Sequence, residues 1–547
     1  MSDEGSDVAV TDDMDEGDEI ETSLDSLIVG RYISSVLIVD DQPTFAVDAP
    51  VTASATEAAA QPLEAPIGGA PTAGLAVPDE ADLESHELPA GPVTRAFADI
   101  GMMCGIVEPF GQTGEPINSK VAARADVVIL DWRLRSGEPV GASATALLRD
   151  LVSPDRRQPL RLVCIYTAEP NVAAIAGEIA ESFGVETESE FAVKISSTRV
   201  IVLGKPGNLA CDEDRQVEWS ALPARLLAEY LVVVDGLLPL FSLAAIGALR
   251  DASGLVVSRF DALIDPAVLG HRTMLPQPAD LVEHLVDALT DEFRAVVSAD
   301  LLVEGSLSEE RCWQVASGSV IAEDELPAID ARFTNANPMA EVERMVRLGT
   351  PTGGKIRQAK YATRLFSSGG PAATTADIRF ASLLHSRSHY MTSPPTLGLG
   401  AIVELVAEDA AGIPVGYYLC LKALCDSARL EAAEPFALSP LATTLTAPVT
   451  FVIDDDSVPR PLAAQIDLSL VVHAPFAPSE APGPVQASYD NGQWVFLSAH
   501  DEPARFRYVG RLRDAFAQRS VHELATQASR IGLNDAEWVR VKRPAEG

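Results

Sequence analysis

VVILDWRL, residues Val127 to Leu134, is the stretch whose reading decides the fold. Its apolar run, VVIL, stops at the carboxylate of Asp131. A strand buried on both faces of a parallel sheet reads as a short continuous Val/Ile/Leu run, and in open α/β sheets the chemistry gathers at the carboxyl ends of the strands. Three other runs end in the same manner. VLIVDD places Asp40 and Asp41 at its end, RLVCIYTA places Thr167, and RVIVLGKP places Lys205. Three acids, a hydroxyl and a lysine at strand ends suit phosphoryl transfer.

Working outward, the segments between these runs read as helices. TRAFADIGM is apolar at helical spacing and leads to a strand, CGIVEPF. KVAARA is a short helix before Val127, and Gly141 to Val152 is a second helix. NVAAIAGEIAESFG is a third, with Gly184 as its stop. FAVKI and RVIVLGKP form a small hairpin whose second arm is the fifth strand. Strands alternating with helices imply βαβ units and a parallel sheet. The expected fold is α/β: a flavodoxin-like, doubly wound, five-stranded parallel sheet, then a helical region and an α+β C-terminal region.

At 547 residues the chain exceeds one ordinary core. Residues 1–29 read as a disordered acidic tail, with eleven Asp or Glu in the first 25 positions. Residues 30–215 form the α/β domain, with a flexible Ala/Pro/Thr/Glu-rich insertion at about 46–90. Residues 216–348 are expected to be helical, starting with a long segment from Ala221 to Arg250. Residues 349–547 carry strand patterns, among them VQASYD and QWVFLSA flanking Asn491-Gly492, a hairpin signal. The end, FRYVGRLRDAFAQRSVHELATQASRIGL, reads as helix with Gly532 as its stop.

The net charge of −38 would repel a phosphate backbone, so no nucleic-acid partner is expected. The most apolar window, Tyr230 to Leu249, is interrupted by Asp235, Pro239 and Ser242, which argues for a buried helix and no membrane span. With no apolar leader after the acidic start, the expected location is the cytoplasm. The six cysteines, Cys104, Cys164, Cys211, Cys312, Cys420 and Cys425, form no CxxC and read as reduced core residues.

Phosphoryl transfer to a carboxylate calls for a hard divalent cation, a nucleophile and fixed positive charge. Asp40, Asp41 and Asp131 suit Mg²⁺, Asp131 is the candidate nucleophile, Thr167 supplies a hydroxyl and Lys205 the positive charge. In order and strand-end context, these residues resemble the receiver domain of bacterial two-component response regulators. The resemblance implies a phosphoacceptor at Asp131, a sensor histidine kinase or histidine-kinase-like ATPase as donor, and a cis Lys205-Pro206 peptide. It also implies that Arg133 and Glu169, two residues beyond Asp131 and Thr167, tune phosphoryl lifetime, and that Ala168 is small to admit the phosphoryl group. Val202 stands where many receivers carry a relay aromatic. ALPARLLAEYL, YYLCLKALCDSARL and SRIGLNDAEWVRV extend the resemblance to a divergent "response receiver" family of bacterial conflict and phage-defence loci.

Two other readings compete: a receiver-based docking, adaptor or phosphate-buffering protein, and an unrecognised effector enzyme in residues 216–547. No nucleophile–base pair, metal cluster or nucleotide loop supports the latter. GTPTGGK (349–355) ends without Ser or Thr and lacks a preceding strand, so it reads as a turn. His385 and His389 share helical i, i+4 spacing but lack a third ligand. Asp454 to Asp456 reads as a polar hairpin turn, Cys420 and Cys425 as buried, and Trp538 as a core anchor.

Overall fold

The computed structural model describes residues 23–44, 88–110, 119–135, 137–152, 160–206, 215–275, 280–334, 337–349, 362–367, 369–389, 393–406, 413–443, 449–455, 458–464 and 467–528. Most of the insertion and the acidic tail, nearly all of GTPTGGK, Cys211, Gly532 and Trp538 lie outside them. The chain divides into two compact units, 1–315 and 316–547.

The first unit is built on a seven-stranded sheet. Its strands are β1 (Ser35–Val39), β2 (Met103–Val107), β3 (Val127–Leu130), β4 (Arg161–Thr167), β5 (Thr187–Ser189), β6 (Ala192–Ile195) and β7 (Thr198–Gly204). Their order is β2-β1-β3-β4-β7-β6-β5, parallel from β2 to β7 and antiparallel from β7 to β5. The five parallel strands follow the flavodoxin-like order 2-1-3-4-5. The foreseen hairpin adds one antiparallel strand, β6, beside β7, and so covers the side of β7 that would otherwise expose unpaired backbone; β5, which the sequence reading did not include, extends that edge.

All residues of β3 and β4 are buried, which is why they read as unbroken apolar runs. Alternate side chains feed two cores. Ile38, Ile129, Cys164 and Leu203 face one side, with Phe97 and Leu226 packed over them. Val39, Leu130, Ile165 and Val202 face the other, with Leu148 and Ile179. Burying each such large side chain contributes about 1.5–3 kcal/mol.

The covering helices are α2 (Ala90–Asp99), α3 (Ser119–Ala122), α4 (Ala142–Leu151), α5 (Val172–Phe183) and α6 (Leu222–Val233). Gly184 ends α5 at φ 63°, as its position after SF suggests. A helix absent from the sequence reading, α1 (Leu24–Tyr32), begins inside the stretch assigned to the acidic tail and buries Ile28 and Val29. The expected helix from Ala221 to Arg250 is two: α6, and α7 (Leu237–Arg259) beyond Gly236, whose φ is 114°. From Leu237 to Met274 the helical chain is long and apolar enough to cross a membrane by length and composition. Leu240, Leu243, Ala244 and Ala248 of this stretch are nonetheless buried in the core.

Ion pairs fasten these helices to one another and to the sheet. Arg31 of α1 meets Asp251 (2.5 Å) and Asp300 (2.6 Å). Asp126, just before β3, accepts from the backbone and hydroxyls of Ser34 and Ser35 and pairs with Arg250 at 3.0 Å. Helices Asp265–Met274, Leu281–Ser298, Leu301–Ser306 and Glu309–Ser317 continue the chain.

In the second unit an antiparallel sheet dominates. Its main strands are β8 (Ala401–Leu405), β9 (Gly416–Cys420), β10 (Glu434–Ala442), β11 (Val449–Asp455), β12 (Val458–Ala464), β13 (Val472–Phe476), β14 (Ser488–Asp490), β15 (Gln493–Leu497) and β16 (Arg505–Leu512). The order is β11-β12-β10-β9-β8-β16-β15-β14, with β13 also on β10. Asn491 and Gly492 turn β14 into β15 at φ 49° and 83°, the positive angles that favour Asn-Gly in tight hairpins.

Here the sequence reading needs corrections. FRYVGRL belongs to strand β16 and is not helical; the helix begins at Asp514 and is described as far as Ala528. Phe506 is buried between sheet neighbours and Arg507 pairs with acids on two other strands, contacts that a local pattern does not contain. His385 ends a helix, Gly370–His385, whereas His389 lies beyond it, so the two do not share a helical face. Cys425 is exposed, because the chain leaves β9 into a short surface helix there. Lys205-Pro206 is not cis; among the described residues the cis bond is Ala481-Pro482, and trans is the lower-energy isomer.

Candidate functional site

Parallel pairing aligns the strand ends. Val39 lies beside Leu130, Leu130 beside Ile165, and Thr167 beside Gly204. The next residues, Asp40, Asp131 and Lys205, therefore emerge in one crevice with Thr167. All four are buried. Lys205 is fully inaccessible, and its Nζ donates to Asp131 Oδ2 at 2.5 Å and to Asp40 Oδ2 at 2.9 Å. Asp41, half-buried, joins the cluster: one carboxylate oxygen each from Asp40, Asp41 and Asp131 lie within 4.8 Å of one another.

The backbone completes the positioning. Asp40 Oδ1 accepts from the amide of Gln42 at 2.9 Å, and Asp131 Oδ1 from the amide of Arg133 at 3.1 Å. Thr167 Oγ1 accepts from the amide of Glu169 at 3.2 Å, and the Thr167 carbonyl accepts from the Lys205 amide at 2.8 Å. Asp40, Asp131 and Thr167 thus each stand at a strand end and are held by the turn that follows, while Lys205 is tied through its backbone to the end of β4.

The electrostatics are unbalanced. Burial raises the carboxyl pKa of Asp40, and Asp131 adds to the rise, while Lys205 opposes it. Burial likewise raises Asp41, with Asp131 and Asp40 reinforcing it. For Lys205, burial alone would lower the pKa, but Asp131 and Asp40 outweigh it and hold the ammonium charged. With all groups ionised, three carboxylates against one ammonium leave −3 + 1 = −2. That charge, in an all-oxygen donor set, fits a hard dication such as Mg²⁺.

Residues 32–210 match the family model described as the response receiver domain. These residues form a response receiver domain. No curated protein and no solved structure matches the chain. The receiver gives the protein a response-regulator-like signalling role, and receivers of this kind generally engage histidine kinases and bind Mg²⁺ through acidic residues.

The structure brings the carboxylates of Asp40, Asp41 and Asp131 together with the Lys205 ammonium, and sets Thr167 at the adjoining strand end, its carbonyl bonded to the Lys205 amide. It also joins two others: Arg133 and Glu169 form an ion pair, with Nη2 at 2.7 Å and Nε at 2.9 Å from Oε1. Val202 is buried, as an apolar residue in mid-strand should be.

Two features escaped sequence reasoning. Trp132, immediately after Asp131, is buried against Gly141; a Cβ added at Gly141 would lie 2.2 Å from its ring, and the φ there is 80°. Glycine is needed twice over at that position, and it seats the loop that carries Asp131. Tyr166 donates to the Val217 carbonyl at 2.5 Å and meets Trp219 edge-on, with centroids 4.9 Å apart. The Val217 amide in turn donates to the Gly204 carbonyl at 3.1 Å. The chain leaving the receiver is thereby bonded to the residues just before Thr167 and Lys205. No sequence spacing signals either arrangement.

Proposed function

We propose that Asp131 accepts a phosphoryl group from a phosphohistidine of a partner histidine kinase or histidine-kinase-like ATPase, and that this switches the C-terminal part of the chain. The buried Asp131–Lys205–Asp40 constellation carries the reading. A carboxylate oxygen of Asp131 forms the new bond to phosphorus as the P–N bond breaks, and the electron pair returns to the imidazole of the donor. Lys205 contributes fixed positive charge to the phosphoryl oxygens, and Thr167 a hydroxyl. Asp40, Asp41 and Asp131 would hold Mg²⁺, which neutralises charge on the transferring group.

Coupling to the rest of the chain is supported by the Tyr166–Val217 and Val217–Gly204 hydrogen bonds, which tie the start of the helical region to the neighbours of Thr167 and Lys205. Phosphorylation biases these contacts and through them α6. The proposed division is a receiver at 30–215, preceded by an acidic segment that gives way to α1 at Leu24, then a helical region at 216–348 and an α+β C-terminal region at 349–547. The protein acts in the cytoplasm, with no nucleic-acid partner, in a bacterial conflict locus.

Acetyl phosphate or beryllofluoride with Mg²⁺ tests the reading. The expected result is an added phosphoryl mass or a thermal shift in wild type, and neither in Asp131→Ala. Wild type behaving like Asp131→Ala overturns it. Kinase capture by both proteins without phosphotransfer would instead favour the adaptor.

A further inference from the structure

Strand β16 is interrupted by a bulge. Ala401, Ile402 and Val403 stand opposite Arg511, Gly510 and Tyr508, so Val509 is the extra residue. In an uninterrupted strand, residues three apart face opposite sides of the sheet. The bulge instead turns Tyr508 and Arg511 to one side, that of Ala401 and Val403. On the other flank of β16, Arg387 lies directly opposite Arg511. The His389 ring meets Tyr508 at 70°, with centroids 5.9 Å apart. With Ser388 and Thr396, these residues line a cleft of about 240 Å³.

Like charges placed directly opposite in an antiparallel pair are destabilising. Elsewhere in this unit a carboxylate answers each such strand arginine: Asp490 for Arg505, Glu404 and Asp455 for Arg507. Among the described residues, the cleft holds no acid and neither Arg387 nor Arg511 has a carboxylate partner, although the chain has 79 acids against 41 Lys and Arg. Arg511 is held in place by its Nη2 donating to the Thr396 carbonyl at 2.6 Å.

We infer that this cleft binds a phosphate dianion, either free or as a phosphate monoester. Two guanidiniums supply two positive charges in fork geometry, which a dianion balances and a single carboxylate does not. The hydroxyls of Ser388 and Tyr508 add donors for its remaining oxygens. The cavity exceeds one phosphate, so an ester substituent has room.

The test is a titration of the full-length protein at constant ionic strength, with EDTA present to keep cations from the receiver. The probes are inorganic phosphate, phosphoserine and acetate, followed by calorimetry and thermal shift. Wild type should bind phosphate or phosphoserine well ahead of acetate, and Arg387→Gln should bind about tenfold or more weakly. Without anion, Arg387→Gln should melt no lower than wild type, since the opposed charges are gone. Arg511→Lys, which keeps the charge but loses the fork, should also weaken binding. Equal affinity for the two phosphates identifies free phosphate as sufficient, and tighter phosphoserine identifies the ester. No phosphate binding by wild type, or unchanged affinity in Arg387→Gln, overturns the site.

Discussion

Two ionic clusters, one in each unit, are built on opposite principles. In the receiver, three carboxylates, those of Asp40, Asp41 and Asp131, face the single ammonium of Lys205. In the second unit, Asp455 and Glu404 meet two guanidiniums. Arg507 binds Asp455 Oδ1 at 2.7 Å and Glu404 Oε2 at 2.5 Å, and Arg460 binds Asp455 Oδ2 at 2.9 Å. The first cluster holds carboxyls above their ordinary pKa; the second holds Asp455 below it, because its hydrogen bonds and charge pairing with Arg507 and Arg460 outweigh burial. A balanced cluster fastens strands, whereas an unbalanced one stores a demand for positive charge and so suits binding and chemistry.

The sharpest way to break this comparison is Lys205→Met. It leaves three neighbouring carboxylates with no cation, and the receiver should lose about 3–5 kcal/mol in denaturant unfolding. An unchanged receiver transition would mean that the lysine does not hold the cluster together. Arg507→Met probes the other side. It strips Glu404 of its arginine and leaves Asp455 with Arg460 alone, which is 41% exposed in its side chain. The expected loss is about 3 kcal/mol, confined to the second unit and not relieved by Mg²⁺.

Mg²⁺ itself separates the clusters. At roughly ten times its dissociation constant it should stabilise the receiver by about 1.4 kcal/mol. Thermal melts should show this gain in wild type, its loss in Asp41→Asn, and no effect on the second unit. A gain shared by both units would sink the distinction.

The smallest effect is that of pH. Asp455 has a folded pKa below 3.8, so its contribution is complete above that value and is lost as pH falls through the lower, folded one. Asp40 and Asp41 have folded values above 3.8, so in EDTA the folded receiver takes up protons first and gains stability as pH falls towards 3.8. Melts between neutral pH and pH 4 should therefore favour the receiver over the second unit. Parallel declines would contradict the opposed shifts.

The receiver was legible because its information is local: β3 and β4 are buried on both faces, and each ends in its functional residue. The second unit was harder to read. In Arg505–Leu512, aromatic and aliphatic residues interleaved with arginines fit a helix as well as a strand, and the deciding partners, Glu404 and Asp455, lie 103 and 52 residues away. Strand β10 contains Pro435 and Pro440, which weaken a strand reading, yet it pairs on both sides. Of the site, the five side chains were legible; the seat of Trp132 on Gly141 and the Arg133–Glu169 pair were not.

The sequence by itself determined which residues end the parallel strands, because burial on two faces leaves a pattern in every central strand. Only the tertiary structure decided how those ends combine: that Lys205 reaches both Asp131 and Asp40, that Val217 is bonded to the residues before Thr167 and Lys205, and that a bulge at Val509 turns Tyr508 and Arg511 to one face. Charge balance and strand register depend on neighbours distant in the chain, and local composition carries no record of which neighbours those are.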